Sequence, residues 1–476
     1  MPDRDHTLDR RALLAGSLAA AVGGVVSARP TPAQTPQKGK QVSFQQELPI
    51  RYEVDVFVAG GGPAGVAAAV SAANQGAKVY LAEAHSCLGG MGTSARVPLF
   101  MQLSDGVNFL PGGFGREVVD RLKTQSRLRG PANDIEALKR VYDEMMLDAG
   151  ADFTFHTTLV AVEAAAGRIS HVVCAAPSGM FAVRAKTYVD ATGNGDLAVW
   201  AGAPFEKGDD QGSLMPGTLC SVWAGIDWDR WYAARPKQPQ PDGFKLEQAF
   251  ADGVFTVRDE HLTGMFRLGE HGGAGNIGHT FNVDGNDERS LTKALVDGRK
   301  GLTEYLTYYR EYVPGFEKLE LVATGSLLGV RETRRILGDY LLSLEDYNRR
   351  AVFPDEIGRY AYPIDNHPTR PGKDTYEQHR REFDEDLRYK KGESYGIPYR
   401  SLLPQRLENV LVAGRCMSAD RMVHGSIRVM PGCFITGQAA GVAAAMSAES
   451  NTAPRQIDVA KLQQRLKALG GYLPNC

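Results

Sequence analysis

The chain has 476 residues, a formal net charge of −2 and charged residues at 23%. That length supports two or three domains with large cores, and the near-neutral balance excludes bulk electrostatic attraction to nucleic acid. The six cysteines (Cys87, Cys174, Cys220, Cys416, Cys433 and Cys476) form no CxxC pair and no cysteine–histidine spacing, so neither a disulfide framework nor a metal site is expected.

Residues 1–28 read as a targeting segment. Arg10-Arg11 precedes an apolar run from Ala12 to Ala28, with Val26-Ser27-Ala28 as a cleavage site. The run is short for a membrane span and has the flanks of a signal peptide. DRRALLAG resembles the twin-arginine signal, which serves proteins that fold before export. The expectation is a periplasmic or extracellular protein with no stable membrane span after processing; an uncleaved anchor is the alternative. Residues 29–50, rich in Pro, Gln, Thr and Lys, read as a linker.

Val54–Ala59 is an apolar, branched run that predicts a buried strand. It breaks into Gly60-Gly61-Gly62-Pro63-Ala64-Gly65, a GxGxxG set, and an Ala/Val-rich helix follows to Gln75, stopped by Gly76. A second strand, Lys78–Ala82, delivers Glu83 and Ala84. Strand, glycine turn, helix and acidic residue in this register predict dinucleotide binding. Gly60 allows the tight turn, Gly62 admits a pyrophosphate, Gly65 lets helix and strand approach, and Glu83 can accept from a ribose.

Past Glu83 comes AHSCLGGMGT, with a second glycine pair at Gly89-Gly90 before Met91. A backbone that crosses close to the pyrophosphate and ribityl chain here fits FAD better than NAD. On these motifs the chain resembles the FAD-dependent oxidoreductases of the two-dinucleotide-binding-domain type, related to the fumarate reductase and succinate dehydrogenase flavoproteins. The resemblance implies an α/β fold: a doubly wound FAD-binding domain built from discontinuous segments, with an inserted α+β cap. It covers roughly Arg51 to Ser447. It implies FAD, bound noncovalently, with His85 the natural candidate were attachment covalent.

Phe114 to Asp148 carries helical spacing, and Phe153–Thr157, Leu159–Ala164 and Ser170–Ala175 read as strands, with a hairpin turn at Ser178-Gly179. A strand from Ala185 to Asp190 enters Ala191-Thr192-Gly193, a turn that in the resembled family closes over the adenosine end of FAD. This completes the first part of the FAD domain, 51–201. Residues 202–395 form the expected cap with its connecting helices. Loop-forming residues dominate up to about 320. A second GxGxxG at Gly273–Gly278 lacks a preceding strand and a following helix, so no second nucleotide site is expected. Helices are expected at Leu291–Tyr312 and around Glu332–Ile336.

Between them, Gly329-Val330-Arg331-Glu332-Thr333-Arg334-Arg335 again resembles the family. Arg331 could reach the flavin edge or an anionic substrate, or belong to a salt-bridged structural helix. His367, in Tyr362–His367, is either a site residue on a returning strand or structural. The FAD domain resumes over 396–450. Asn409–Val412 reads as a strand reaching Gly414-Arg415, where the family meets the ribityl chain. His424-Gly425-Ser426-Ile427-Arg428 then precedes an Ala/Gly-rich helix whose start, with free N–H groups at Gly432 and Cys433, should face the flavin. The HGxxR set resembles that of fumarate reductases. By resemblance Arg428 would hold a substrate oxygen and His424 orient it or move a proton; alternatively Arg428 only pairs with a local carboxylate or braces the flavin phosphate. The family's usual continuation is replaced by Val429-Met430-Pro431, so its dicarboxylate chemistry does not carry over. Residues 451–476 read as a C-terminal helix and tail.

The expected function is dehydrogenation of a small organic substrate by hydride transfer to flavin N5, with electrons passed to oxygen, a quinone or a redox protein. A redox-neutral flavin lyase or isomerase, or a noncatalytic FAD-binding protein, are the alternatives.

Overall fold

The structure, a computed structural model, describes residues 42–126, 128, 132–234, 244–261, 264–383 and 387–476. The expected export signal and the linker up to residue 41 lie outside the described residues.

The first strand, β1 (Ile50–Ala59), begins exposed and ends fully buried, as its shift from mixed to apolar residues requires. Helix α1 (Pro63–Asn74) and β2 (Val79–Ala82) follow as expected. The helical stretch expected over Phe114–Asp148 is two helices, α2 (Phe114–Gln125) and α3 (Ile135–Asp148). Asp134 caps α3 by accepting from Ala137 N–H, which fixes the break. Then come β3 (Asp152–Thr154), β4 (Thr158–Ala165), β5 (Arg168–Ala176), β6 (Gly179–Asp190) and the short α4 (Asp196–Trp200).

The middle of the chain holds β7 (Phe205–Lys207), β8 (Ser221–Ala224), α5 (Trp228–Ala234), α6 (Leu246–Ala251), β9 (Met265–Arg267), β10 (Gly273–Gly275), α7 (Glu288–Tyr312) and β11 (Glu320–Thr324). The return holds β12 (Arg334–Ile336), α8 (Leu344–Asn348), β13 (Glu356–Tyr360), α9 (Lys373–Phe383), β14 (Tyr395–Pro398) and β15 (Val410–Val412). The chain ends in α10 (Arg421–Ile427), α11 (Met430–Ser450) and α12 (Val459–Ala468).

The main sheet runs β3-β2-β1-β6-β5-β4, with β15 also on β6. Strands β3, β2, β1, β6 and β15 are parallel, while β5 and β4 fold back antiparallel. β6 is long enough to carry two neighbours: its first half pairs with β5 and its last residues with β15. The chain reverses around β1 and β6, and in such sheets the crevice at the carboxyl ends of the strands is where ligands bind.

Helices α1 and α11 cross on one face of this sheet with almost no side chain between them. A Cβ built on Gly437 would lie 2.2 Å from the Ala64 carbonyl oxygen, and one on Gly441 2.1 Å from that of Ala68. The Gly/Ala composition of α11 is thus set by a backbone-to-backbone contact, and nearly all of that helix is buried. No single helix among the described residues is long and apolar enough to cross a membrane.

A second core, rich in Trp and Tyr, spans Leu219 to Leu328 and includes Trp223, Trp228, Tyr308 and Phe316. It packs the four-stranded sheet β11-β8-β10-β9 against α7. The expectation of mostly loop up to residue 320 missed this sheet, because strands of three to five residues are too short to show alternation. By contrast, Ile336, Tyr347, Phe353 and Tyr395 join the first core, so the apolar centre of the cap is narrower than the expected 202–395.

Around Glu332–Ile336 the expected helix is absent. Arg334–Ile336 is extended and pairs with β7. Glu332, fully buried, is turned inward between Arg335 at 2.6 Å and Arg421 at 3.3 Å, which holds the backbone open. Tyr362–His367 likewise forms no strand.

Candidate active site

A cleft of 470 Å³ opens at the carboxyl ends of the parallel strands, within the roughly 300–1,000 Å³ usual for ligand sites. One wall is a cradle of small residues. Gly60, Gly62, Pro63 and Ala64 line it after β1; Glu83, Ala84 and His85 after β2; Gly90 and Met91 beyond. Ala191, Thr192 and Gly193 line it after β6, Gly414 and Arg415 after β15, and Met430 and Cys433 at the start of α11.

The cradle is held in shape by buried carboxylates. Glu83 accepts from Gly61 N–H at 2.6 Å and from His85 N–H at 2.8 Å, tying the glycine turn to the end of β2. Each of its oxygens has a further lone pair, and the residue borders the cleft. Asp190, fully buried, accepts from Thr192 N–H, Thr192 Oγ1 and Ala198 N–H, which pins the turn after β6; burial raises its carboxyl to about 6 despite these bonds. No side chain caps the start of α1, so its first N–H groups stay available at Gly62.

The opposite wall comes from the cap and the return segment. Arg331 borders the cleft beside Thr218 and Cys220. His261 and His367 border it too, with Tyr362, Asp365 and Arg428. Behind them stands His279, whose Nε2 is 3.0 Å from His367 Nδ1. Its Nδ1 lies 3.1 Å from Asp259 Oδ1, and Asp259 also accepts a short bond from Tyr376. His367 Nε2 lies 3.3 Å from Asp365 Oδ1. The His261 ring stacks on His279 at 3.9 Å.

The electrostatics follow from burial. It pushes His261 well below its ordinary value, helped by the neighbouring His279 and His367. It pushes His367 down to about 3, with the Arg331 charge adding to it and Asp365 opposing. Burial would raise the Asp259 and Asp365 carboxyls. Instead His279 pulls Asp259 down to about 2, and His367 with the two guanidiniums holds Asp365 well below the carboxylate range.

The ligand atoms of the three imidazoles lie within 4.8 Å of one another. The His279–His367 separation of 3.0 Å is nevertheless a hydrogen-bond distance, shorter than the roughly 3.3 Å that two ligands of one tetrahedral ion keep. Arg331, 3.4 Å from His261 Nε2, also opposes a cation. The cluster is therefore two imidazole–carboxylate pairs, His279 with Asp259 and His367 with Asp365, and His261 stacks on His279.

The sequence profile of the family described as FAD dependent oxidoreductase matches residues 55–466. The chain belongs to this family. FAD is accordingly its cofactor and redox chemistry its class. No curated protein matches the chain. Among solved structures it is similar to a geranylgeranyl bacteriochlorophyll reductase-like protein from Thermoplasma acidophilum, at 15% identity and a TM-score of 0.42, over 88% of this chain and 83% of the other. It is similar to the flavin-dependent brominase Bmp2 at 10% identity and a TM-score of 0.43, over 87% and 83%. A third is the p-nitrophenol 4-monooxygenase PnpA from Pseudomonas putida, at 11% identity and a TM-score of 0.41, over 88% of each chain.

The cradle fits FAD. Beside Gly62 a Cβ would meet nothing within 4 Å, so the space over the α1 N-terminus is open to a pyrophosphate. Arg415 donates to Gly193 O, Val330 O and Asn194 Oδ1, and no carboxylate among the described residues contacts it. It presents a positive charge on the cradle side. Three expected cofactor residues do not border the cleft. Gly65 and Gly89 serve close packing, on Gly60 O and on Thr93 with Tyr142; Gly432 packs on Ile427 O. The N–H expected to be free at Cys433 bonds Val429 O at 3.0 Å, because α11 starts at Met430 and Cys433 is already inside it.

The expected catalytic residues separate. Arg331, His367 and Arg428 meet at the cleft. His424 does not. It is fully buried, its Nε2 donates to Arg415 O at 2.9 Å, and Nδ1 has no partner. Burial, then Arg335 and Arg428, push its pKa well below the usual range, so it stays neutral and braces the 414–416 turn. Arg428 sits at the 91° bend between α10 and α11 and donates to Asp365 O at 2.7 Å, with Asp365 Oδ2 at 3.3 Å. It acts on the cleft through Asp365. The sequence reading missed His261, His279, Asp259, Asp365 and Tyr376. They come from four places, Asp259 with His261, His279, Asp365 beside His367, and Tyr376 on α9; the Asp-x-His spacing shared by Asp259–His261 and Asp365–His367, and the richness in His of an otherwise polar cap, were the signals that hinted at them.

Proposed function

We propose that the chain is an exported flavin-dependent dehydrogenase or oxidase of small alcohols. What supports this is the placement of a proton-accepting pair of histidines across one cleft from the FAD cradle. Asp259 keeps a proton on His279 Nδ1, and Asp365 keeps one on His367 Nε2. With both rings neutral, the lone pairs of His279 Nε2 and His367 Nδ1 then face each other at 3.0 Å. Burial keeps both rings neutral, and Arg331 adds to this at His367; one added proton would turn the repulsion into a hydrogen bond, so the pair can hold a proton in passing once the charge of Arg331 is offset.

FAD, when bound, supplies the two-electron acceptor for the hydride of the carbinol carbon. The residues of the chain do the rest. The histidine pair takes up the hydroxyl proton, which settles between His367 Nδ1 and His279 Nε2. Arg428 fixes Asp365, and Asp365 fixes the His367 tautomer. Tyr376 does the same for Asp259. Electrons leave to oxygen, a quinone or a redox protein. The glycine set at Gly273–Gly278 offers no nicotinamide site, since Gly273 and Gly275 lie in β10 with Met265, Ile226 and Trp223 against them.

The test is anaerobic mixing of the purified protein with a panel of small alcohols and sugars while the flavin spectrum is followed. A substrate should bleach the flavin, and His367→Gln should slow bleaching without loss of FAD. Turnover that leaves the flavin oxidised would instead establish redox-neutral chemistry. Export is tested by fractionation: Arg10→Lys with Arg11→Lys should retain the protein in the cytoplasm.

A further inference from the structure

The other buried arginines among the described residues have carboxylate partners: Arg335 has Glu332 at 2.6 Å, and Arg359 has Glu356. So do the half-buried Arg421, with Glu332 at 3.3 Å, and Arg428, with Asp365 at 3.3 Å. Arg415 lacks one but lies on the cradle, where FAD brings its own phosphates. Arg331 is the exception on the other wall. It is 8% exposed, and no carboxylate among the described residues lies within 4.0 Å of it.

Its contacts are all neutral. Nη1 donates to Pro216 O at 2.9 Å and Thr218 Oγ1 at 3.0 Å; Nη2 reaches His261 Nε2 at 3.4 Å. That leaves Nε–H without a protein acceptor and Nη2 with a second N–H to give. A buried cation without a counter-charge is costly, and a guanidinium edge with free N–H groups matches a carboxylate in two parallel bonds. Burial and the charge of Arg428 already weaken the Arg331 proton, to about 10, the direction an anion would reverse.

We propose that Arg331 seats the carboxylate of a small hydroxy acid, with the reacting hydroxyl beside it at His367. The inference rests on the dehydrogenase reading and names its substrate class. The carbinol gives its hydride to the flavin and its hydroxyl proton to the histidine pair, leaving the oxo acid. The carboxylate then offsets the positive charge that the pair acquires. It also removes the Arg331 charge that opposes protonation of His367.

The experiment uses oxidised holoenzyme and 2-hydroxyisobutyrate, whose carbinol carbon has no hydrogen to lose, against its amide. Flavin absorbance and melting temperature are both read. The acid should perturb the flavin saturably and raise the melting temperature, with the amide at least tenfold weaker. Arg331→Met should abolish the effect of the acid at unchanged FAD content, and Arg331→Lys should recover part of it. Equal binding of acid and amide, no saturable binding of the acid, full binding by Arg331→Met, or loss of FAD from that variant each overturns the proposal. A neutral alcohol that bleaches the flavin while acids do not bind overturns it and leaves dehydrogenation intact. Acids that bind at Arg331 with no alcohol or acid ever reducing the flavin would do the opposite.

Discussion

Gly62 and Gly65, neighbours in the same glycine turn, should respond in opposite ways to one added methyl. Gly62 has φ of −66°, a conformation open to alanine, and its Cβ would meet nothing within 4 Å. Gly62→Ala should therefore leave the apoprotein as stable as before. The methyl occupies the space over the α1 N-terminus that the FAD pyrophosphate needs. An overpacking cost of roughly 1–3 kcal/mol, laid wholly on the cofactor, weakens FAD binding about 5- to 150-fold. At Gly65 a Cβ would lie 1.8 Å from Gly60 O and 3.2 Å from Ala191 Cβ. The helix must move off β1, so the same overpacking term, about 1–3 kcal/mol or more, falls on the fold itself, less the ~1 kcal/mol that alanine returns to a helix. Both variants are purified, their flavin content read by absorbance, and their flavin-stripped forms melted. Full FAD occupancy in Gly62→Ala, or an apoprotein melting temperature for Gly65→Ala equal to wild type, would refute the assignment of the two roles.

Stability should fall as pH is lowered from 7 to 5. His261, His279, His367 and His424 all have folded pKa values pushed below the ordinary imidazole range by burial. The unfolded chain binds protons below about 6.5 that the folded rings refuse, so the stability they lend is complete above that pH and lost below it, by roughly 1.4 kcal/mol per pH unit for each ring. Asp259, down to about 2, loses its contribution only at much lower pH. His424→Gln should make the decline shallower by about one ring; a melting temperature flat from pH 7 to 5 would contradict this. Glu332→Gln leaves Arg335 buried with only Glu206 at 3.4 Å, and should lower the stability in urea by about 3 kcal/mol. Arg428→Met frees Asp365, so flavin reduction should slow roughly 10- to 100-fold at unchanged FAD content, the loss of about 1.5–3 kcal/mol from a charge-assisted bond; Arg428→Lys should recover part and return the pH profile toward wild type. Loss of FAD from Arg428→Met would make that residue a cofactor brace.

The FAD cradle was legible in the sequence because its requirements are local. A turn that needs φ of +90° at Gly60 and open backbone at Gly62 leaves few residue choices, and they sit side by side between a strand and a helix. The late Ala/Gly helix was legible as a helix for the same reason. Its partner was not: nothing at Gly437 or Gly441 says that Ala64 and Ala68, some 370 residues earlier, lie against them. Glu332–Arg335 was misread as helical because helix propensity and charge spacing favour a helix there. A buried ion pair overrode them, since Glu332 can satisfy Arg335, Arg421 and Met215 N–H only from an open backbone.

The other wall of the cleft follows a different logic. Each of its residues is defined by what another loop brings to it. The proposed role of His367 depends on His279 facing one nitrogen and Asp365 the other. His424 has the better motif but faces a carbonyl, which leaves it a brace. Arg331 and Arg428 differ in their charge partners: Arg428 has the carboxylate of Asp365, and Arg331 has only neutral acceptors. That difference decides which of them has a charge to spare for a ligand. On the proposed reading substrate choice rests on cap and return residues whose replacement leaves the glycine cradle untouched, so substrate binding and FAD binding should be separable by mutation.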